Sequence, residues 1–348
     1  MDLNLPNYIE ITKNTEQYID SFLAENSYST IFILVDENTK EKCLPIIRES
    51  VKKAISIEIK SGEEHKTLET CGHIWQAFTN ANADRNALLI NLGGGVIGDM
   101  GGFCASTYKR GIDFINIPTT LLSQVDASVG GKLGIDFNGL KNHIGLFKLP
   151  KKVIIDPVFL DTLPLNQKTS GFAEMLKHGF IKDSRHLKEL AQLDIETTEW
   201  LPFIAKSVAI KNAIVTADPL EKNERKYLNF GHTIGHAVET YFLNNNLPML
   251  HGEAVAIGMI TEAYLSQQKL GLSNEETIDL IKITDTYFKK RLIPTIGMEE
   301  ILSNLDQDKK NINSEIQAVL LSEIGKAQHS VEITKKEVKE ALAFYNAK

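Results

Sequence analysis

The stretch "LNFGHTIGHAVETYFLNNNLPMLHGEAVAIGM", Leu228 to Met259, holds three of the chain's nine histidines: His232, His236 and His251. Imidazole nitrogens bind transition metals and exchange protons near neutral pH. The Ile, Ala and Val around them do neither. His232 and His236 are four residues apart, which places both rings on one face of a helix. His251 opens the next helical pattern, across the loop "NNNLP", and can fold back against them. A separate helical stretch, "SGFAEMLKHG", carries Glu174 and Lys177 three apart on a shared face. Two imidazoles and a carboxylate, with further coordination left open, form a donor set of the catalytic zinc type. The chelating pair is either His232 with His236 or His232 with His251. Core histidines that merely satisfy local hydrogen bonds are the competing reading.

Lys211, Glu221, Arg225 and Asn229 lead into these histidines. Arg225, Asn229, His232 and His236 are spaced 4, 3 and 4, which predicts one helical stripe bearing a cation, an amide and two imidazoles. With Lys177, Lys211 and the pair Lys309 and Lys310 in "DKKN", it composes a cationic pocket suited to a phosphorylated carboxylate.

A second constellation lies upstream. In "LLINLGGGVIGDMGGF", Gly93, Gly95 and Gly98 fit G-x-G-x-x-G between an expected strand and an expected helix. Such a turn lets backbone N–H groups approach a pyrophosphate at a helix N-terminus; a plain strand-to-helix turn is the alternative. This is not the first strand–helix unit, and Asp99 sets a carboxylate behind the turn. Asp36, closing an earlier strand, is better placed to accept from ribose hydroxyls. The expectation is dinucleotide binding in a variant topology. In "IPTTLLSQVDASVGGKLGIDFNGLKNHIG", Thr119 and Thr120 follow a strand end. Asp126, Lys132, Lys141 and Asn142 then occupy a loop-rich stretch, where open α/β sheets bind ligands.

The elements that must position these groups divide the chain. Residues 29–36, 55–59, 87–92 and 113–118 are apolar, β-branched runs suited to a parallel sheet covered on both faces. After Pro157 the helical period takes over, near 166–182, 185–193, 198–217, 228–243, 251–270, 274–290 and 334–347, with a hairpin turning at Gly325–Lys326. The expected domains are 1–157, α/β and Rossmann-like, and 158–348, mainly helical and metal-binding. With 45 acidic against 38 basic residues the formal charge is −7, and no basic stripe is interleaved with aromatics, which argues against a nucleic-acid partner. No signal peptide or membrane span is visible. Cys43, Cys71 and Cys104 lack CxxC spacing and suit reduced thiols in the cytoplasm.

Taken in order, "VDENT", "SGEEHK", "GGGVIGDMGGF", "PTTLLSQVDASVGGK", "LKNHIG", "GFAEMLKHG", "LNFGHTIGHAVE", "LHGEAVAIGM" and "DKKN" resemble the 3-dehydroquinate synthase family through nearly the whole chain. The resemblance implies an NAD-binding α/β domain, a helical metal-binding domain and a homodimer. It implies Glu174, His232 and His251 as ligands of zinc or cobalt, with His236 handling protons. NAD would contact Asp36, Glu63, Lys66, the turn Gly94, Gly95, Val96, Ile97, Gly98 and Asp99, then Thr119, Thr120, Lys132, Lys141, Phe159, Thr162 and Leu163. The substrate, a phosphorylated sugar acid, would meet Asp126, Lys132, Asn142, Lys177, Lys211, Glu221, Arg225, Asn229 and one of Lys309 or Lys310. Arg110 resembles a residue lent across the dimer. Two positions depart from the family pattern: Pro219 stands where an acidic residue is usual, and Asn166 where glutamine is common. The rival activities are another sugar-phosphate cyclase and a metal-dependent polyol dehydrogenase; an idle NAD-binding regulator is the non-enzymatic alternative.

Overall fold

Alternation of buried side chains to two opposite faces builds the N-terminal sheet. In the computed structural model, which describes residues 5–138, 140–305 and 316–348, six strands run parallel in the order β1-β8-β5-β4-β2-β3. They are β1 (Ile9–Ile11), β2 (Ile31–Asp36), β3 (Ile55–Ile59), β4 (Leu88–Gly93), β5 (Asp113–Pro118) and β8 (Lys152–Ile155). Phe32 and Leu34 of β2 and Leu89 of β4 point into one core; Ile33 and Val35, with Leu88 and Ile90, point into the other. Helices α3 (Leu68–Asn80) and α4 (Gly95–Thr107) cover the first face. Helix α1 (Thr15–Glu25) and the segment after the short α2 (Glu37–Lys42) cover the second. A sheet buried on both faces favours apolar residues at nearly every position, which is why the central strands read as almost continuous runs. The buried exceptions Asn91 and Asn116 hydrogen-bond to each other at 2.8 Å.

Strands β1 and β8 were not among the expected ones: each is short, with three and four residues. The stretch expected to be loop-rich is instead an antiparallel ribbon, β6 (Lys132–Phe137) and β7 (Leu140–Phe147). Its glycines and polar residues hide the strand period, but Leu133 and Ile135 are buried in the core beneath α4.

The chain folds as two compact units, one comprising residues up to Pro164 with Glu199–Ala209, the other Leu165–Thr198 with the described residues from Ile210 on. The second unit is helical: α5 (Leu165–Lys182), α6 (Ser184–Leu190), α7 (Leu201–Ala217, from Ile210 on), α8 (His232–Asn244), α9 (His251–Leu270), α10 (Asn274–Tyr287), α11 (Met298–Asn304) and α12 (Lys335–Ala347). The hairpin β9 (Ile316–Glu323) and β10 (Lys326–Ile333) packs beside them. Helix α9 packs against α5, α8, α10, α12 and β9, so apolar residues surround it and no single face is polar.

The expected helix 228–243 is broken. Glu224–Asn229 is a 3-10 turn, and α8 begins only at His232, after Gly231 takes a left-handed φ of 79°. A side chain there would be strained, and the carbonyl of Gly231 lies against Gly258 of α9. Arg225 and Asn229 therefore do not share a helical stripe with His232 and His236.

Candidate functional site

Within the second unit, three elements bring Glu174, His232 and His251 together. Glu174 is buried in α5 with Lys177 one turn on, its ammonium in contact with the Glu174 carboxylate. Nε2 of His232 lies 3.4 Å from Glu174 Oε1, and Nε2 of His251 lies 3.5 Å from the same oxygen. The approach of α9 to α5 is set at Gly252: its N–H donates to Ser170 Oγ at 2.9 Å, and a Cβ there would stand 2.1 Å from the Ser170 carbonyl oxygen. Ser170 is one turn before Glu174, so this contact fixes the distance from His251 to the carboxylate.

Helix α8 is tied to α9 at its N-terminus. Glu262, wholly buried on α9, accepts from the N–H of Gly231 at 2.6 Å and of Ile234 at 3.2 Å. A carboxylate there stabilises the helix dipole and satisfies donors that have no partner in their own helix. His236 is half-buried beside the others, its ring centroid 5.0 Å from that of His232 and 5.7 Å from that of His251.

The residues present fit a metal ion. A tetrahedral ion with bonds of about 2.0–2.1 Å holds its donors about 3.3–3.4 Å apart, close to the two separations from Glu174. The three histidines also form a looser group, with ligand atoms within 4.8 Å of one another. Electrostatics point the same way. Burial opposes a charged His251, yet the carboxylates of Glu174 and Glu239 outweigh it and push its pKa up to about 10. The cluster favours positive charge at this point.

Beside it, the segment 218–229 is held by Asp218. Its carboxylate accepts from the backbone N–H of Asn223 at 2.6 Å, Lys222 at 3.0 Å and Arg225 at 3.2 Å. Burial works to raise its pKa, but these donors and the Arg225 charge hold it below the usual carboxylate range. Arg225 is buried and donates to the Pro219 carbonyl at 2.7 Å; the carbonyl is the group this turn uses, and proline supplies it as well as any residue. Glu221, at a left-handed φ of 57°, accepts from Asn229 Nδ2 at 2.9 Å. Non-glycine residues in that region cluster at functional sites. Lys211 is also buried. Lys309 and Lys310 lie outside the described residues.

In the first unit, β2 and β4 are neighbours although β3 lies on the far side of β2. The strand order reverses here, and open α/β sheets bind ligands at the carboxyl ends of such a pair. Asp36 ends β2 and Gly93 ends β4. Gly94 precedes α4 and no side chain caps the helix, so its first-turn N–H groups can face an anion. Gly95, Val96, Ile97, Gly98 and Asp99 form its first turns. Asp36 also caps α2, accepting from Thr39 N–H at 2.7 Å.

The Asp99 charge behind the turn is matched. The buried Lys66 ammonium donates to Asp99 Oδ2 at 2.7 Å and to Asn142 Oδ1 at 2.6 Å, with Glu63 at 3.8 Å. Burial disfavours that ammonium, but Asp99 and Glu63 hold its pKa above the ordinary lysine value. Three separate motifs of the sequence thus meet at one lysine.

Thr119 is buried and Thr120 half-buried just past β5, and Asp126 sits on a single π turn, Ser123–Ala127. Such turns are frequent at functional sites. Lys132 is exposed at the start of β6 and Lys141 half-buried on β7. Phe159 is buried in the core, while Thr162 is exposed and Leu163 half-buried. Arg110 is exposed on a turn where Lys109 and Arg110 both have positive φ, 48° and 69°. Asp218, Glu239 and Glu262 were not picked out by the sequence reading. Each is an ordinary acidic residue until its partners are known.

Solved structures with this fold include a 2-deoxy-scyllo-inosose synthase complexed with carbaglucose-6-phosphate, NAD+ and Co2+, at TM-score 0.86 and 24% identity, covering 96% of this chain and 95% of that one. The 2-epi-5-epi-valiolone synthase ValA of Streptomyces hygroscopicus, with NAD+ and Zn2+ bound, has TM-score 0.83 at 23% identity, covering 99% and 98%. A glycerol dehydrogenase of Schizosaccharomyces pombe has TM-score 0.70 at 14% identity, covering 98% and 89%. Parallel sheet, helical unit and carboxylate–imidazole cluster define a dehydroquinate synthase-like fold.

Two family models narrow this: one described as 3-dehydroquinate synthase N-terminal matches residues 56–170, and one described as 3-dehydroquinate synthase C-terminal matches residues 171–311. A 3-dehydroquinate synthase of Parabacteroides distasonis is 41% identical over 342 residues, 97% of each chain. That of Clostridium botulinum is 43% identical over 308 residues, 85% of this chain and 86% of its own. The chain belongs to the 3-dehydroquinate synthase family.

Proposed function

We propose that this chain is a 3-dehydroquinate synthase. It converts 3-deoxy-D-arabino-heptulosonate 7-phosphate to 3-dehydroquinate and inorganic phosphate, using catalytic NAD and a divalent metal, zinc or cobalt. The observation that carries the reading is the approach of two imidazole Nε2 atoms to one oxygen of the buried Glu174. Relatives 41% and 43% identical bear that activity as their name.

Glu174, His232 and His251 would hold the metal, which when bound lowers the pKa of a coordinated hydroxyl. The turn Gly94–Asp99, with Asp36, would hold NAD, which supplies a transient oxidation that acidifies a neighbouring C–H. The chain's own groups supply charge and orientation. Lys177, Lys211 and Arg225, all buried, offer cations to phosphate and carboxylate. The Pro219 carbonyl and the backbone hold of Asp218 fix Arg225 before substrate arrives, so little ordering is left to the binding step. His236 stands beside the metal ligands, where an imidazole nitrogen can take or return a proton.

A polyol dehydrogenase shares the fold, but three buried cations suit an anionic substrate better than a neutral polyol. With NAD well below substrate, phosphate should appear in large excess over NAD, without accumulation of NADH absorbance. Chelator dialysis should abolish turnover, and zinc or cobalt should restore it. NADH growing in step with product would point to the dehydrogenase.

We also infer a homodimer in which Arg110 serves the neighbouring subunit, a reading supported by its exposure on a strained turn. Arg110→Ala and Lys132→Ala should each be inactive alone and recover part of the activity when mixed, since a mixed dimer can assemble one intact site. No recovery after verified subunit exchange would assign Arg110 to its own subunit. Among the described residues no helix is long and apolar enough to cross a membrane. The three cysteines are free and buried, which supports a reducing, cytoplasmic setting.

A further inference from the structure

The two imidazoles beside Glu174 are each held from behind. The Nδ1 of His232 lies 3.1 Å from the Phe230 carbonyl oxygen. A carbonyl can only accept, so Nδ1 carries a proton, and Nε2 is the nitrogen left facing Glu174 that can bind an ion. His251 has the same arrangement with a different partner. Its Nδ1 lies 3.5 Å from Glu239 Oε2, while its Nε2 lies 3.5 Å from Glu174 Oε1. Glu239 is only 8% exposed and sits on α8, seven residues after His232 and so on the same helical face. A carboxylate removed from water needs a charged or donating partner, and the back of the His251 ring is one.

We propose that Glu239 is a positioning residue for the metal centre. It accepts from Nδ1–H of His251, fixes that ring's tautomer and plane, and so aims Nε2 at the ion. The proposal rests on the reading of Glu174, His232 and His251 as the ligand set. It extends that set to a carboxylate behind the imidazole, a relation in which the outer group raises the basicity of the ligand nitrogen. It also assigns the two rings unequal supports. His232 is held by a neutral carbonyl two residues away in the chain, and His251 by a charged side chain from another helix. A change at Glu239 therefore acts on one ligand and leaves the other in place.

The contrast that tests this is Glu239→Gln against Glu239→Met, two side chains of nearly the volume of glutamate. The amide oxygen of Gln can still accept from Nδ1–H; the thioether of Met is a poor acceptor. Cobalt(II) affinity, measured on metal-free protein by competition with a chelator, should stay within a few-fold of wild type for Glu239→Gln. It should fall by about 10- to 100-fold for Glu239→Met. The visible spectrum of cobalt-loaded Glu239→Met should differ from wild type, because one ligand has turned. The melting temperatures of the metal-free forms report folding separately.

Equal cobalt affinities and superimposable spectra for wild type and a folded Glu239→Met would overturn the proposal. Should Met not fold, nitrogen NMR of zinc-loaded wild type decides: His251 protonated at Nδ1 supports the assignment, and His251 protonated at Nε2 defeats it. A His251→Ala control separates the two levels. If His251→Ala binds cobalt like wild type, the ligand set itself is wrong. If it loses cobalt while Glu239→Met keeps it, only the role of Glu239 fails.

Discussion

His232→Ala and His251→Ala are expected to purify with little metal and to lose turnover severely, while His236→Ala keeps near-stoichiometric metal and still loses about 10²–10⁴-fold in rate, as removal of a positioned acid–base group does. The two helix-paired imidazoles lie close, with ring centroids 5.0 Å apart, yet they differ in what holds them. His232 is tethered through Nδ1 and lies 3.4 Å from Glu174. His236 is half-buried in the same cluster. Metal per chain, measured beside phosphate release in all three mutants, separates the roles. A metal-free His236→Ala together with a fully loaded His251→Ala would instead make the three-histidine group's two α8 members the chelating pair.

Gly252→Ala should be strongly damaging although it removes none of the three clustered side chains. The added methyl would stand 2.1 Å from the Ser170 carbonyl oxygen and 2.5 Å from its Cα. Both obstacles are backbone, so the helices must separate. Overpacking of this kind costs about 1–3 kcal/mol, and more where nothing can yield. The larger consequence falls on the site. Metal–ligand bonds tolerate about 0.2 Å, and moving α9 away from α5 carries His251 away from Glu174. The expected result is a folded, less stable protein with strongly reduced cobalt binding. Melting with and without cobalt checks it; a Gly252→Ala protein that binds cobalt as wild type does would show that the close approach does not set the ligand spacing.

How much could be read beforehand depended on whether a residue's role was local. The central strands were legible because burial on both faces leaves continuous β-branched runs such as "IFILVD". The histidine helices were legible because their imidazoles recur at helical spacing in apolar surroundings. The ribbon β6–β7 was missed because Gly134 and Gly145 face each other across it, and paired glycines erase the strand pattern. The helix break at Gly231 was missed because its cause, the packing of that residue against Gly258, comes from a remote segment. Glu239 and Glu262 were invisible for the same reason. A glutamate on a helix ordinarily signals solvent, and only the partner across the helix pair shows otherwise.

The cap on α8 joins a donor and an acceptor 31 residues apart in sequence. A helix usually carries its own start signal in the residue just before it. Here that position is Gly231, which has no side chain to offer, and the carboxylate arrives from Glu262. The motif around His232 and His236 is therefore not a portable cassette. Transplanted to another helix, or cut from the chain before α9, it would carry the imidazoles without the instruction for where the helix begins. Any chimera that exchanges this segment must bring α9 through Glu262 with it, so the natural unit of recombination in this fold is the helix pair.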